Sequence, residues 1–296
     1  MNRLRPYVLP IAIVLGLLLH SFCAAVAFMS PIIIFCILLL TFCAVDLRQL
    51  RIKMLDVWLM TFQIVVGIGG YLAIRFCGGN SIVAEGVLVG VLCPVASSVA
   101  VIACILGANR ETVTTYTVVD NLMVAIVAPV VFTLIGEHTD IPFGEGFMLM
   151  LGKIGMTLAL PFFLAAIIQF MLPRTHSLLS RHNGISFYLW AIVLTLTFGQ
   201  TINYLILHAT GNWGAIIWLA VLSLMFCVLQ FGFGRWLGGR YGDVIAGGQC
   251  LGQKNTAFGI WMANTFLNPL SSVFLAFYCV YQNLFNAWQM ARQKKQ

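Results

Sequence analysis

Long apolar runs separated by short polar breaks recur along the whole chain, and most are about as long as a helix that crosses a bilayer, which takes on the order of 20 residues. The hydropathy pattern and its breakers predict ten spans, at 7–28, 30–46, 54–76, 81–107, 111–135, 146–172, 184–207, 211–234, 241–266 and 270–291. Two of these are poor helices in their middles. The fourth reads Gly86-Val-Leu-Val-Gly90-Val-Leu-Cys93-Pro94-Val-Ala-Ser97-Ser98, where Pro94 removes a backbone donor and clashes with the preceding turn. The ninth carries Gly247-Gly248-Gln249-Cys250-Leu251-Gly252-Gln253-Lys254-Asn255-Thr256, with Gly252 inside a run of amide and charged side chains. Breaks at corresponding places in two halves point to inverted repeats, and with five spans per repeat the second repeat must enter the membrane in the opposite sense. The expected fold is therefore all-α, with ten transmembrane helices in two inverted five-helix repeats and broken, crossing helices 4 and 9.

Composition supports the bilayer reading. Of 296 residues 61% are hydrophobic and 8% charged, with a mean hydropathy of +0.98. A soluble domain carries about a quarter charged residues. Charge placement then tests the topology, because basic residues gather in the loops on one side. Arg3, Arg5, Arg48, Arg51, Lys53, Arg110, Arg174, Arg181, Arg235, Arg240, Arg292, Lys294 and Lys295 fall on one side, and Arg75 on the other; Lys153 and Lys254 lie within spans. This pattern predicts an integral multi-pass protein of a bacterial inner membrane with both ends cytoplasmic. The apolar run after Arg3 and Arg5 lacks a clear small-residue cleavage site and reads as a retained first helix.

An interrupted helix exposes unpaired carbonyls at the end of its first half and unpaired N–H groups at the start of its second, so two crossing breaks create adjacent cation- and anion-attracting ends. Such backbone survives at that depth only when buried in protein or lining a cavity. Ser97 and Ser98 follow the first break and Asn255 the second. Asp120 and Lys254 are ionisable groups within spans, an expense of about 2.5–3.5 kcal/mol each at a helix centre that calls for partners. The nine cysteines, never in a C-x-x-C pair, read as small packing residues, as do Tyr278 and Cys279. Glu85 suggests an interfacial salt bridge with Arg75, Glu111 a cap on the fifth span, Lys153 a snorkelling cation, and Gln200 and Asn203 either cavity lining or helix glue. The five histidines are scattered and show no metal spacing.

Together, Cys93-Pro94…Ser97-Ser98, Pro129 closing the fifth span, Gln249-x3-Gln253 and Gln282-Asn283 make the chain resemble the bile acid:sodium symporter family over nearly its whole length. The resemblance implies a panel domain at 1–53 and 146–208, a core domain at 54–136 and 211–292, and sodium-driven alternating-access transport of a small organic anion, bile-acid-like or another carboxylate or sulfate. It implies sodium or coupling positions at Gln63, Ser97, Ser98, Thr117, Asp120, Asn121, Gln249 and Gln253. Substrate positions would be Ser97, Ser98, Asn255, Gln282 and Asn283. The implied partners are the anion and the lipid bilayer, with neither nucleic acid nor an obligate protein partner; sodium is the coupling ion and there is no cofactor or transition metal.

The chain departs from the family pattern at telling places. Gln249 replaces a glutamate, Gln253-Lys254 replaces a Gln-Asn pair, and the stretch after the first break reads Pro-Val-Ala-Ser-Ser instead of a Pro-Gly-Gly-Thr-like one. Two readings remain open. In one, Asp120 inherits the acidic ligand and preserves a sodium site. In the other, the Lys254 ammonium occupies a sodium position and pairs with Asp120, making transport proton-coupled or ion-independent. A channel would share a polar interior but not the paired breaks. An intramembrane enzyme is not expected, for the chain has no G-x-S-x-G or H-E-x-x-H motif.

Overall fold

The structure, a computed structural model, describes residues 8–96, 98–135, 143–182, 184–208 and 210–293. Among these residues the chain forms fourteen α-helices: α1 (Val8–Leu18), α2 (His20–Ala25), α3 (Ser30–Cys43), α4 (Met54–Phe76), α5 (Ser81–Leu92), α6 (Val99–Ile105), α7 (Arg110–Ile135), α8 (Phe143–Met171), α9 (Pro173–Arg181), α10 (Ile185–His208), α11 (Trp213–Arg240), α12 (Val244–Gly252), α13 (Thr256–Phe266) and α14 (Ser272–Gln293). Five of them, α4, α7, α8, α10 and α11, are long and apolar enough to cross a membrane. Helix occurs at each place where the pattern puts a span, but the first expected span is divided at Leu19, and the fourth and ninth are each two helices end to end. Pro129 does not close the fifth: α7 continues past it to Ile135, and Thr133 Oγ1 donates to the Pro129 carbonyl at 2.7 Å.

The exterior is apolar and the interior holds much of the polarity, the reverse of a soluble protein. Leu18, Phe28, Phe76, Ile126, Leu134 and Met156 are exposed, while Asp56, Gln63, Asp120, Asn121, Gln230 and Gln249 are buried. An apolar surface of this extent marks lipid contact.

Helices α1, α2 and α3 pack on α10, and α3 also packs on α8; α4 packs on α5, and α11 on α12 and α14. The α11–α12 seam is made of glycine. A Cβ at Gly247 would run into the backbone of Gly234 and Gly238, which no rotamer change could relieve. Similarly, a Cβ at Gly90 would fall inside the Phe274 ring of α14. These close approaches hold the two broken helix pairs against α11 and α14 and fix the depth of their breaks.

Helix starts follow local chemistry. Asn80 Oδ1 accepts from Ile82 N at 2.8 Å and begins α5, and Asp243 Oδ1 accepts from Ala246 N at 2.8 Å and begins α12. The cap of α7 is Asn109, whose Oδ1 accepts from Thr112 N at 3.0 Å; Glu111 lies exposed in the first turn rather than capping it. Asn203 bonds to His20 at 2.9 Å, so it joins α10 to α2 as helix glue.

Candidate functional site

Both breaks form where the sequence places them, and they meet. After α5, Cys93 and Pro94 leave the helix in extended conformation; after α12, Gln253 and Lys254 do the same. The two extended pieces run antiparallel, with Val95 opposite Lys254. Ala96 N donates to Gln253 O at 2.9 Å and Asn255 N to Pro94 O at 2.8 Å. A pair of backbone hydrogen bonds at this depth satisfies groups that helix breakage would otherwise leave open.

The remaining backbone groups at the crossing are taken by side chains from the flanking helices, in matching ways. Val95 N donates to Asp120 Oδ2 of α7 at 2.6 Å, and Lys254 N donates to Gln282 Oε1 of α14 at 2.8 Å. Gln63 Nε2 of α4 donates to the carbonyls of Leu92 and Cys93 at 3.1 and 3.3 Å, at the end of α5. At the end of α12, Tyr278 OH donates to Gly252 O at 2.8 Å and itself accepts from Gln230 Nε2 of α11 at 3.1 Å. Gln282 Nε2 returns to Lys254 O at 3.1 Å, so this amide grips both backbone groups of one residue.

Lys254 is 1% exposed, and its ammonium donates to Gln63 Oε1 at 2.7 Å. Tyr116 OH approaches the same oxygen at 3.4 Å. Gln63 thus holds the carbonyl end of α5 with its nitrogen and a fixed cation with its oxygen. The carbonyl end of a helix carries about half a negative charge, so an ammonium there is electrostatically favoured. Asp120, fully buried on α7, lies within reach of the Lys254 charge without forming a direct ion pair with it. The four groups Gln63, Asp120, Lys254 and Tyr116 therefore form one buried polar unit.

The other expected positions fall around this unit. Thr117 Oγ1 is turned back to Val113 O at 2.8 Å, and Asn121 Nδ2 donates to Thr117 O at 2.7 Å. Gln253 Nε2 donates to Ser98 Oγ at 3.1 Å across the crossing. Asn255 caps α13, accepting from Phe258 N at 3.3 Å, and is half-buried. Asn283 is half-buried on α14, one position beyond Gln282, and donates to Cys279 O at 2.7 Å. Gln249 points away from Lys254: its amide donates to Asn286 Oδ1 and Gln289 Oε1, each at 3.0 Å. Ser97 lies outside the described residues. Glu85 Oε2 accepts from Asn268 N at 2.8 Å and so braces the turn after α13.

Several buried acceptors make no hydrogen bond among the described residues: Asp120 Oδ1, Asn121 Oδ1, Gln253 Oε1 and Gln249 Oε1. Among the described residues no group of three or more His, Cys, Asp or Glu gathers as a metal centre would require. Sequence reasoning missed Tyr116, Gln230, Asn286 and Gln289, and read Tyr278 as packing. The stripe Tyr278, Gln282, Asn286 and Gln289, at helical spacing on one face of α14, was the available signal.

Two broken helices crossing through a short antiparallel pair, inside an apolar-surfaced helical protein, define a membrane transport protein rather than a soluble domain. The model of the SBF-like CPA transporter family (DUF4137) matches residues 7–291, and the chain belongs to that family, of bile acid:sodium symporter type. No match was found among curated proteins.

Proposed function

We propose that this chain is a secondary active transporter of a small organic anion in which the Lys254 ammonium stands in place of a coupling sodium ion. In this reading the chain crosses a bacterial inner membrane ten times, in two inverted five-helix repeats, with both ends cytoplasmic. Helices α1–α3, α8 and α10 form the panel, and α4–α7 with α11–α14 form the core that carries the crossing. The matched roles of Asp120 and Gln282, and of Gln63 and, acting through the Tyr278 hydroxyl, Gln230, support the repeat. The anion would meet the crossing at its half-buried polar positions, Ser98, Asn255 and Asn283, near the start of α13.

The observation that carries the ion assignment is the 2.7 Å contact from Lys254 Nζ to Gln63 Oε1 at the carbonyl end of α5. A protein cation already occupies the place where a dissolved one would be attracted, and Gln249, an amide instead of a carboxylate, adds no charge to attract another. The test is the melting temperature of the detergent-solubilised protein in sodium, potassium and choline buffers, because a ligand that binds the native state raises stability by mass action. Equal values are expected for the parent, and a sodium-specific rise for Lys254→Asn combined with Gln249→Glu. A sodium-specific rise in the parent overturns the assignment.

A second reading rests on the acceptors without donors. Asp120 Oδ1, Asn121 Oδ1 and Gln253 Oε1 are hard oxygens of the kind sodium takes, and they would bind it beside Lys254. In that case Asp120→Asn removes the sodium-specific rise that the parent shows.

A further inference from the structure

Between the crossing and one end of the molecule, polar positions of α4 and α7 face one another in a file. On α7, Thr112, Tyr116 and Asp120 are buried and lie four residues apart, which puts them on one face. On α4, Asp56 and Gln63 are buried and lie seven residues apart, again on one face. The inner end of the file is the unit around Lys254, where Gln63 accepts from the ammonium and Tyr116 approaches the same oxygen. At the outer end Lys53 Nζ donates to Thr112 Oγ1 at 2.9 Å. Lys53 N also donates to Asp56 Oδ2 at 2.8 Å, so the Lys53 side chain spans from Asp56 to α7 and lies across that end.

The Asp56 carboxyl has thin support for its burial. It is 0% exposed, yet Lys53 N is its one donor, and Oδ1 has no hydrogen-bond partner among the described residues. The half-buried Asp243 takes the N–H groups of Asn109 and Ala246, each at 2.8 Å, and the exposed Asp46 takes Arg48 N at 3.1 Å, Gln49 Nε2 at 2.8 Å and Gln169 Nε2 at 3.0 Å. A buried carboxylate needs its lone pairs filled, a cost that the neutral acid largely escapes. Charge around Asp56 is sparse as well. Among the described residues the Lys53 ammonium is the charged group that acts on it, and that ammonium is bonded to Thr112. Tyr116 of α7 and Cys250 of α12 lie within electrostatic reach of it, while α5 and α11, which also pack on α4, bring no charged group to it. Burial favours the acid, whereas Lys53 and the N-terminus of α4 favour the anion, so opposed forces of this kind lock neither form.

We propose that Asp56 is an exchangeable proton-binding site. When the Lys53 ammonium leaves Thr112, its side chain uncovers Asp56 to the solution at its own end of the molecule. An O–H bond then forms at Oδ1 with a proton from that solution, the carboxyl becomes neutral, and Oδ2 keeps its bond from Lys53 N. Release returns the proton by the same route. The start of α4 needs only Oδ2, so helix capping and proton binding are separable. Where Lys254 takes the place of sodium, as proposed above, a proton bound here supplies an exchangeable positive charge to the same helix layer; the sodium melts test that reading separately.

The test uses the full-length protein reconstituted in phosphatidylcholine liposomes, with the proton itself as the probe and no transported anion present. Infrared difference spectra are recorded across about pH 5–8, a range in which exposed carboxyl groups, with ordinary values of about 3.9–4.3, have finished titrating. A carboxyl C=O band that appears reversibly as the pH falls is expected in the parent and in Asp120→Asn. It should disappear in Asp56→Asn, whose amide oxygen still accepts from Lys53 N. Lys53→Met keeps the stem and removes the ammonium, and it should tighten proton binding about ten-fold, moving the midpoint of the band by about one pH unit. If Asp56→Asn loosens the fold, seen as a lower melting temperature, Lys53→Met carries the comparison. No titrating band in the parent, a band of the same size in Asp56→Asn, or a midpoint that Lys53→Met leaves unmoved overturns the proposal.

Discussion

Replacing Lys254 with methionine keeps the length of the side chain and removes the ammonium. Gln63 Oε1 then loses its 2.7 Å donor and retains Tyr116 OH at 3.4 Å, while Asp120 stays buried with Val95 N as its hydrogen-bond donor. Losing a hydrogen bond from a charged donor costs about 1.5–3 kcal/mol. Leaving a buried carboxylate without its compensating cation brings the total to about 3–5 kcal/mol. For a chain of this size that is a fall in melting temperature of roughly 6–10 °C, at about 2 °C per kcal/mol. Asp120→Asn alone strands the ammonium instead and should cost a similar amount. In the double variant neither charge remains, and the amide oxygen that replaces the Asp120 carboxylate would still accept from Val95 N–H, so the two losses should overlap by about 2 kcal/mol or more. The assay is thermal unfolding in detergent, read from the seven tryptophans, on the parent, both single variants and the double variant. Losses that add within about 0.5 kcal/mol would show two independent sites and refute the single buried unit.

Three further outcomes follow from the same geometry. Gln282→Leu strips the Lys254 backbone of both partners and should destabilise by about 1–3 kcal/mol for each group left buried, measurable in the same melts; Gln282→Glu, which keeps the acceptor for Lys254 N, should lose less. Gly247→Val drives a side chain into the backbone of Gly234 and Gly238 and should lower the yield of monodisperse protein sharply, with a cost at or above the ~3 kcal/mol upper range of overpacking, whereas Gly69→Ala, with open space around it, should be silent. Asp46 has a lowered folded-state pKa, so its contribution is present above its unfolded value near 3.8 and is lost as pH falls through the folded value; hydrogen exchange at Arg48 N should accelerate only in that acid window, and be indifferent to pH there, after correction for intrinsic exchange, in Asp46→Asn.

Much of this arrangement was legible in the residues. Pro94 and the Gly252–Asn255 stretch mark both breaks, because a missing donor and a run of buried amides are incompatible with a plain helix in lipid. Hydropathy marks the positions at which helix is found among the described residues. What a linear reading could not provide was pairing across space. Gln282 looks like a cavity amide until its two atoms are seen on the Lys254 backbone, and Tyr278 looks like packing until its hydroxyl is seen on Gly252 O. Likewise Gln249 carries the expected side chain, but its amide faces Asn286 and Gln289, a choice set by the rotation of α12 against the glycine face of α11. Helix α9 was missed because nine residues with two arginines, a histidine and two serines read as a loop; its leucines matter only once it lies against the end of α8.

A built-in cation has a consequence for direction. The lysine comes from one broken helix pair and the aspartate from the helix beside the other, so on the proposed reading the crossing is compensated without an ion from solution. If the crossing moves during alternating access, it carries no net charge of its own, and a bound monoanion moves one negative charge. Against an inside-negative potential, inward movement is opposed by about 2.3 kcal/mol per 100 mV, equivalent to an equilibrium ratio of about fifty-fold. A symporter overcomes that with co-transported cations; on the proposed reading, with the Lys254 ammonium in a cation's place, this chain lacks the means unless a proton travels with the anion. Without proton coupling, net flux should run outward under an inside-negative potential of 100 mV unless the anion is more than about fifty-fold more concentrated outside. In proteoliposomes with a potassium diffusion potential, an accepted anion should leave faster when the inside is made negative, with sodium and potassium buffers equivalent. Efflux insensitive to the imposed potential, or uptake that requires sodium, would exclude this energetics, and potential-resistant uptake that collapses with the pH gradient would identify the proton as the coupling ion.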